Sequence, residues 1–160
     1  MMKKLFVFVA IAILFVSCKK TSSNNCTYTE SNAVAPPSEI ASVQAYVNAN
    51  HPAAIQHSSG LFYEITNPGT GTATPGVCST VTVKYTGTLT NGTQFDANTT
   101  GVSFVLGQLI LGWQKGIPLI RAGGSINLYI PPSLGYGSNT VGTIPANSIL
   151  VFTIQLMDVQ

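Results

Sequence analysis

From Gly60 to the C-terminus, apolar side chains recur at about every second position. The runs are "GLFYEIT" (60–66), "VCSTVTVKYTGTLT" (77–90), "TQFDA" (93–97), "VSFVLG" (102–107), "GSINLYI" (124–130) and "ILVFTIQLMDV" (149–159). A period of two is what a strand with one buried face requires. Turn markers separate the runs: "PGTGTATPG" (68–76) is a turn-rich loop, and Asn91-Gly92 is a strong hairpin dipeptide. Such a chain is constrained to an antiparallel sheet. One segment breaks the rhythm. "LGQLILGWQKG" (106–116) holds the only tryptophan, and within it "GWQKGI" (112–117) fits one or two helical turns before Pro118 cuts them short. Ahead of the strands, "SEIASVQAYVNAN" (38–50) has helical spacing. Ser38 is its candidate N-cap, Glu39 lies in its first turn, Ile40, Val43, Tyr46 and Val47 share one face, and Pro52 ends it. The expected class is α+β, with about five or six strands, one short central helix and one additional N-terminal helix. Residues 131–148 form a long loop, and a loop of that length in a compact domain is usually functional.

Charged residues make up 8% of the chain, against roughly 25% in an average soluble domain. The polar surface must come from Thr, Ser, Asn and Gly. Setting aside Lys3 and Lys4, five basic residues face five acidic ones. A neutral surface without a basic stripe argues against nucleic-acid binding.

"MMKKLFVFVAIAILFVSC" reads as an export signal: two lysines, an apolar run from Leu5 to Val16, then a small residue and a cysteine. The run falls short of the ~20 residues of a membrane span. The ending "FVSC" resembles a bacterial lipoprotein signal, which would make Cys18 the lipidated first residue; an uncleaved anchor is the alternative. Both place the domain outside the cytoplasm, tied to a membrane, on the periplasmic side or at the cell surface. The expected organisation is a signal peptide over 1–17, a polar tether over 18–37, a helical extension over 38–59 and a main domain over 60–160. Cys26 and Cys78 remain as a plausible disulfide in an exported protein, with two free thiols as the alternative.

His51 and His57 have no Cys, Asp or Glu cluster around them, so no metal site is expected. No Gly-x-Ser-x-Gly elbow suggests a hydrolase, and "GGS" (123–125) lacks the lysine of a phosphate loop.

Four motifs in series, "VKYTGTLTNGTQFD" (83–96), "FVLGQLILGWQKG" (104–116), "LYIPPSLGYG" (128–137) and "TIPANSILVFTIQLMDV" (143–159), resemble the FKBP-type peptidyl-prolyl isomerases. The resemblance implies a twisted antiparallel sheet wrapped around a short helix, with an apolar pocket for a proline between them. It implies Trp113 as pocket floor, Tyr85, Phe95 and Phe152 as aromatic walls, and Leu109, Ile110 and Ile144 as further lining. Tyr136 would offer its hydroxyl to a substrate carbonyl, the Ile110 N–H would bind the carbonyl beyond the proline, and Asp96 would stand at the pocket edge. Phe104 is expected to stay in the core, since alternation points it inward. Val102 stands where the family often carries another substrate-facing aromatic. The stretch 97–102 is shorter than in well-studied members and lacks an arginine to pair with Asp96, and Pro118 stands where the family helix usually continues.

The chemistry implied by the resemblance suits these residues. Rotation about X–Pro meets a barrier of ~18–20 kcal/mol because the planar amide loses its resonance. No bond is made or broken, so no nucleophile, metal or cofactor is needed. A catalyst need only bind the twisted amide better than the planar one. Asp96 is the only acid between Glu64 and Asp158, which singles it out. The expected partners are proline-containing polypeptides and, through the anchor, a membrane, and the expected state is a monomer. A binding module or holdase without catalysis, and a glycan-binding or structural surface lipoprotein, are the competing readings.

Overall fold

The computed structural model describes residues 26–160; the expected leader and Cys18 lie outside the described residues. The elements in chain order are α1 (Pro37–Asn50), β1 (Ile55–Gln56), β2 (Phe62–Asn67), β3 (Thr80–Leu89), β4 (Gln94–Val105), α2 (Leu111–Gly116), β5 (Ser125–Ile130) and β6 (Leu150–Val159). Short 3-10 turns cover Leu106–Gln108, Ile117–Leu119 and Pro132–Leu134. The strands form one six-stranded antiparallel sheet, ordered β1-β2-β5-β6-β3-β4.

The two faces of the sheet carry different partners. On the front, Val81, Val83, Ile126, Leu128, Ile130, Phe152 and Ile154 form one core with Trp113 of α2 and with Ile117 and Ile120 beyond it. On the back, Phe62 and Tyr129 meet Val43 and Val47 of α1. The expected apolar face of α1 is therefore the buried one, with Val43 0% and Val47 1% exposed.

Three local expectations are corrected. Ser38 is not the N-cap: α1 begins at Pro37 after Pro36. Proline suits that first position, because its missing N–H would have no partner there and its φ is already helical. The runs 93–97 and 102–107 are not two strands but one, β4. Asn98 lets the strand bulge instead of ending, its Oδ1 accepting from the N–H of Thr100 (3.2 Å) and of Gly101 (2.7 Å). Pro118 does not stop the helical path either, because Ile117–Leu119 continues it as a 3-10 turn with Pro118 in its first positions.

The second half of the expected tether lies on the domain. Cys26 and Cys78 are bridged, with Cα atoms 5.7 Å apart. Ala35 is 3% exposed within the front core, the Ala35 N–H donates to Ser59 O (2.9 Å), and the Lys115 ammonium donates to Ser31 O. No described helix is long and apolar enough to cross a membrane.

Candidate active site

The glycines around Trp113 set the geometry of the site. A methyl group at Gly112 would lie 2.5–2.8 Å from the Ile130 side chain, and one at Gly116 would lie 2.5 and 2.6 Å from the Leu128 methyls. Spaced by four, the two glycines share one helix face and let α2 lie flush on β5. Trp113 is thereby driven across the front of the sheet. It is 4% exposed and meets three rings edge-on: Tyr85 at 5.1 Å, Phe152 at 5.2 Å and Phe104 at 6.3 Å between centroids. Edge-to-face pairs at such distances are favourable beyond the area they bury. Its indole N–H is buried without a partner among the described residues.

Consecutive strand residues ordinarily point to opposite faces, yet Phe95 and Asp96 both line one cleft. The register explains this. Gly87 pairs with Asp96 and Thr88 with Gln94, leaving Phe95 as the extra residue of a bulge. A bulge re-aims side chains. Gly87 completes the arrangement: a methyl there would lie 2.6 Å from the Phe95 ring and 2.8 Å from the Phe152 ring. Without it the two rings meet edge-on at 5.5 Å.

Tyr85 donates its hydroxyl hydrogen to Asp96 Oδ2 at 2.6 Å. Partial burial, then this hydrogen bond, push the Tyr85 phenol up to about 12. Tyr85 is thus a neutral donor that fixes Asp96, standing where no arginine is present.

The remaining walls come from segments between strands. Leu109 and Ile110 end the turn leading into α2, with Ile110 as N-cap. Their path is held from below by the buried Gln114, whose Nε2 donates to Leu109 O (2.7 Å) and Gly107 O (3.3 Å). The Ile110 N–H meets no acceptor among the described residues. Opposite, Tyr136 and the Val141–Ile144 turn close the cleft. The open cleft has a volume of about 430 Å³, large enough for a proline with its neighbouring peptide groups.

The structure brings together Tyr85, Phe95, Asp96, Leu109, Ile110, Trp113, Tyr136, Ile144 and Phe152 around that volume. It does not bring Val102 there. Val102 pairs with Val83 and packs on the front core. Phe104 points inward as alternation requires, but inward at its position is the cleft wall. Val141, Gly142 and Thr143 also line the cleft; Thr143 opens the motif 143–159, whereas Val141 and Gly142 carried no sequence signal beyond membership of the long loop. His51 lies 4.6 Å from Tyr129 between ring centroids on the back face. His57 Nδ1 accepts from the Ser59 N–H at 3.1 Å, and burial, then Lys115, hold its pKa below the ordinary value. Neither histidine lines the cleft.

A sequence model of a family described as "FKBP-type peptidyl-prolyl cis-trans isomerase" matches residues 71–157. The chain is 47% identical over 106 residues to the FKBP-type peptidyl-prolyl cis-trans isomerase FkpA of Buchnera aphidicola, covering 64% of this chain and 42% of that protein. It is 45% identical over 106 residues to FkpA of Escherichia coli K12, covering 64% and 39%. To the outer membrane protein MIP of Legionella longbeachae it is 40% identical over 122 residues, covering 72% and 52%. The chain thus spans about two fifths to one half of the length of these relatives. Among solved structures, FkpA from Escherichia coli superposes with a TM-score of 0.69 at 40% identity, over 77% of this chain and 60% of that one. A peptidyl-prolyl cis-trans isomerase from Pseudomonas syringae gives 0.68 at 28% identity, over 79% and 97%.

Proposed function

Since the chain belongs to the FKBP-type peptidyl-prolyl cis-trans isomerase family, we propose that it catalyses cis–trans isomerisation of X–Pro bonds in polypeptides folding outside the cytoplasm. The observation that carries this reading is the cleft: an apolar box floored by Trp113 and walled by Tyr85, Phe95, Phe104 and Phe152. A few polar groups converge on it, namely Asp96, the Tyr136 hydroxyl and the Ile110 N–H.

A planar X–Pro amide owes its stiffness to charge separation between nitrogen and oxygen. Twisting it abolishes that resonance and leaves a less polar bond. An apolar box therefore tolerates the twisted amide better than the planar one, which is the differential binding that lowers a barrier. The proline ring would rest on the Trp113 face. The Ile110 N–H would hold the carbonyl beyond proline and the Tyr136 hydroxyl a second carbonyl, anchoring the chain on either side of the rotating bond. Asp96, fixed by Tyr85, would stand at the edge where the carbonyl of X swings.

Export with a lipid anchor at Cys18 is part of the same proposal, supported by the leader's resemblance to lipoprotein signals and by the bridged Cys26–Cys78 pair, which suits an oxidising compartment. Loss of fatty-acid labelling in a Cys18→Ser variant would support the anchor; unchanged labelling would refute it.

The activity is tested on short X–Pro peptides, with varied X and no coupled protease, using the chain from residue 26 onward. Acceleration that is lost in Trp113→Ala and blocked by a macrolide pocket ligand establishes the isomerase. A folded protein that binds such peptides without accelerating their isomerisation supports a holdase instead.

A further inference from the structure

Glu39 and Ser133 are 94 residues apart, and the Ser133 N–H donates to Glu39 Oε2 at 2.9 Å. Glu39 belongs to the first turn of α1, which packs on the back of the sheet. Ser133 belongs to the turn that leads to Tyr136 at the front. This contact therefore joins the back-face helix to the turn that leads into a wall of the cleft.

The chemistry of the turn makes the contact consequential. Pro131 and Pro132 have no N–H, so Ser133 offers the first donor of the 3-10 turn Pro132–Leu134. The peptide linking Pro132 to Ser133 is one rigid plane. Its N–H is taken by Glu39. Its carbonyl, on the other edge, accepts from Gly135 N–H (2.9 Å) and from Gly137 N–H (2.8 Å). Those two amides flank Tyr136. Orienting that single plane thus orients the backbone on both sides of Tyr136. Glu39 is itself anchored, because the next residue, Ile40, packs against both cores.

We infer that Glu39 is a positioning residue for Tyr136: through the Pro132–Ser133 peptide, α1 sets where the Tyr136 hydroxyl stands over the cleft. The inference rests on reading Tyr136 as a donor to the bound polypeptide. It gives the 38–50 helix a role beyond covering the sheet.

The test compares Glu39→Ala, Glu39→Gln, Tyr136→Phe and the double variant Glu39→Ala/Tyr136→Phe in the chain from residue 26 onward. A Leu-Pro tetrapeptide is the probe. Isomerisation kinetics are measured, and binding is followed by the fluorescence of Trp113, the chain's only tryptophan. Glu39→Ala is expected to lower kcat/KM about five-fold, as a small misplacement of a positioned group does. Glu39→Gln, which keeps an acceptor oxygen, should recover most of it. In the Tyr136→Phe background, Glu39→Ala should change almost nothing. An equal loss in both backgrounds, or no loss in either, overturns the inference. If the wild-type domain accelerates nothing, the isomerase reading falls separately. Peptide affinity then decides: weakening by Glu39→Ala only when Tyr136 is present supports the inference, and any other pattern overturns it.

Discussion

Tyr85 and Asp96 lie on adjacent strands, and the phenol donates to the carboxylate at 2.6 Å across the β3–β4 ladder. The bond holds an exposed acid at the cleft edge, with no cationic partner among the described residues. Tyr85→Phe keeps the ring against Trp113 and removes only this tether. A hydrogen bond of this kind contributes about 1 kcal/mol net where solvent reaches it, so kcat/KM should fall by roughly three- to ten-fold with little change in fold.

A pH signature accompanies the same pair. The Tyr85 pKa is raised from 10.0 to about 12. Below pH 10 both folded and unfolded chains keep the proton, so its contribution is fully present. Between pH 10 and 12 the unfolded chain gives up its proton first, and stability falls as pH rises. Urea midpoints of the wild type and Tyr85→Phe, compared up to about pH 11.5, check this. The wild type should lose stability more steeply; parallel curves would sink the argument.

Gly112→Ala sets two known effects against each other. Alanine in a helix gains ~1 kcal/mol over glycine. The added methyl, however, would lie 2.5–2.8 Å from the side chain of Ile130, which is 0% exposed and stiff at its branched β-carbon. Overpacking of a filled core costs about 1–3 kcal/mol, so the variant should be destabilised on balance. Because α2 carries Trp113, the emission maximum should move as well. A Gly112→Ala variant more stable than wild type, with unshifted emission, would refute the flush packing of α2.

The broad fold was legible because strand alternation and turn dipeptides are local signals, and they located five of the six strands. The two-residue β1 left no such trace. Bulges were not legible: the breaks at 98–101 and at Phe95 depend on which residue of β3 lies opposite, and pairing is a property of two segments. For that reason β4 read as two strands; Val102 was expected at the cleft for a different reason, the family's aromatic at that position, whereas its side chain packs on the front core. The ordered motifs around Trp113, Tyr136 and Phe152 marked most of the cleft. They said nothing of Gly87, whose importance is the absence of a side chain between two rings from other strands. Gln114 stood inside the motif around Trp113 with no role assigned, and Glu39 read only as a first-turn acid, because both act on backbone carbonyls and amides that any sequence provides.

Gly87→Ala is expected to affect binding more than stability. The new methyl would press on the Phe95 ring at 2.6 Å and the Phe152 ring at 2.8 Å. Phe152 is buried on a central strand, but Phe95 is half-buried on the edge strand β4 and can swing outward. Relief by that route keeps the cost at about 1 kcal/mol while opening one wall of the cleft. Peptide affinity, read from Trp113 fluorescence, should drop several-fold, of the order expected when an aromatic contact is lost. An unchanged affinity would show that Phe95 is not a wall.

The Cys26–Cys78 bridge and Gln114 both bear on the segment before α2, and they should separate stability from activity. The bridge joins residues 52 apart and fastens the irregular stretch that carries Tyr28, whose hydroxyl accepts from Gln108 Nε2 at 2.7 Å. Replacing both cysteines by serine frees a long loop in the unfolded chain and should cost about 2–4 kcal/mol. It leaves Leu109 and Ile110 held from below, so turnover per folded molecule should persist. Gln114→Ala does the reverse. It removes the donor to Leu109 O and Gly107 O and leaves two carbonyls to find water. The cost is about 1–3 kcal/mol, and the Ile110 N–H loses its fixed direction. Turnover should then fall by ten-fold or more, roughly as misplaced binding groups do. Denaturation midpoints and kcat/KM on one X–Pro peptide decide the matter: if the serine pair loses turnover while Gln114→Ala keeps it, then the bridge and not Gln114 holds the Ile110 donor in place.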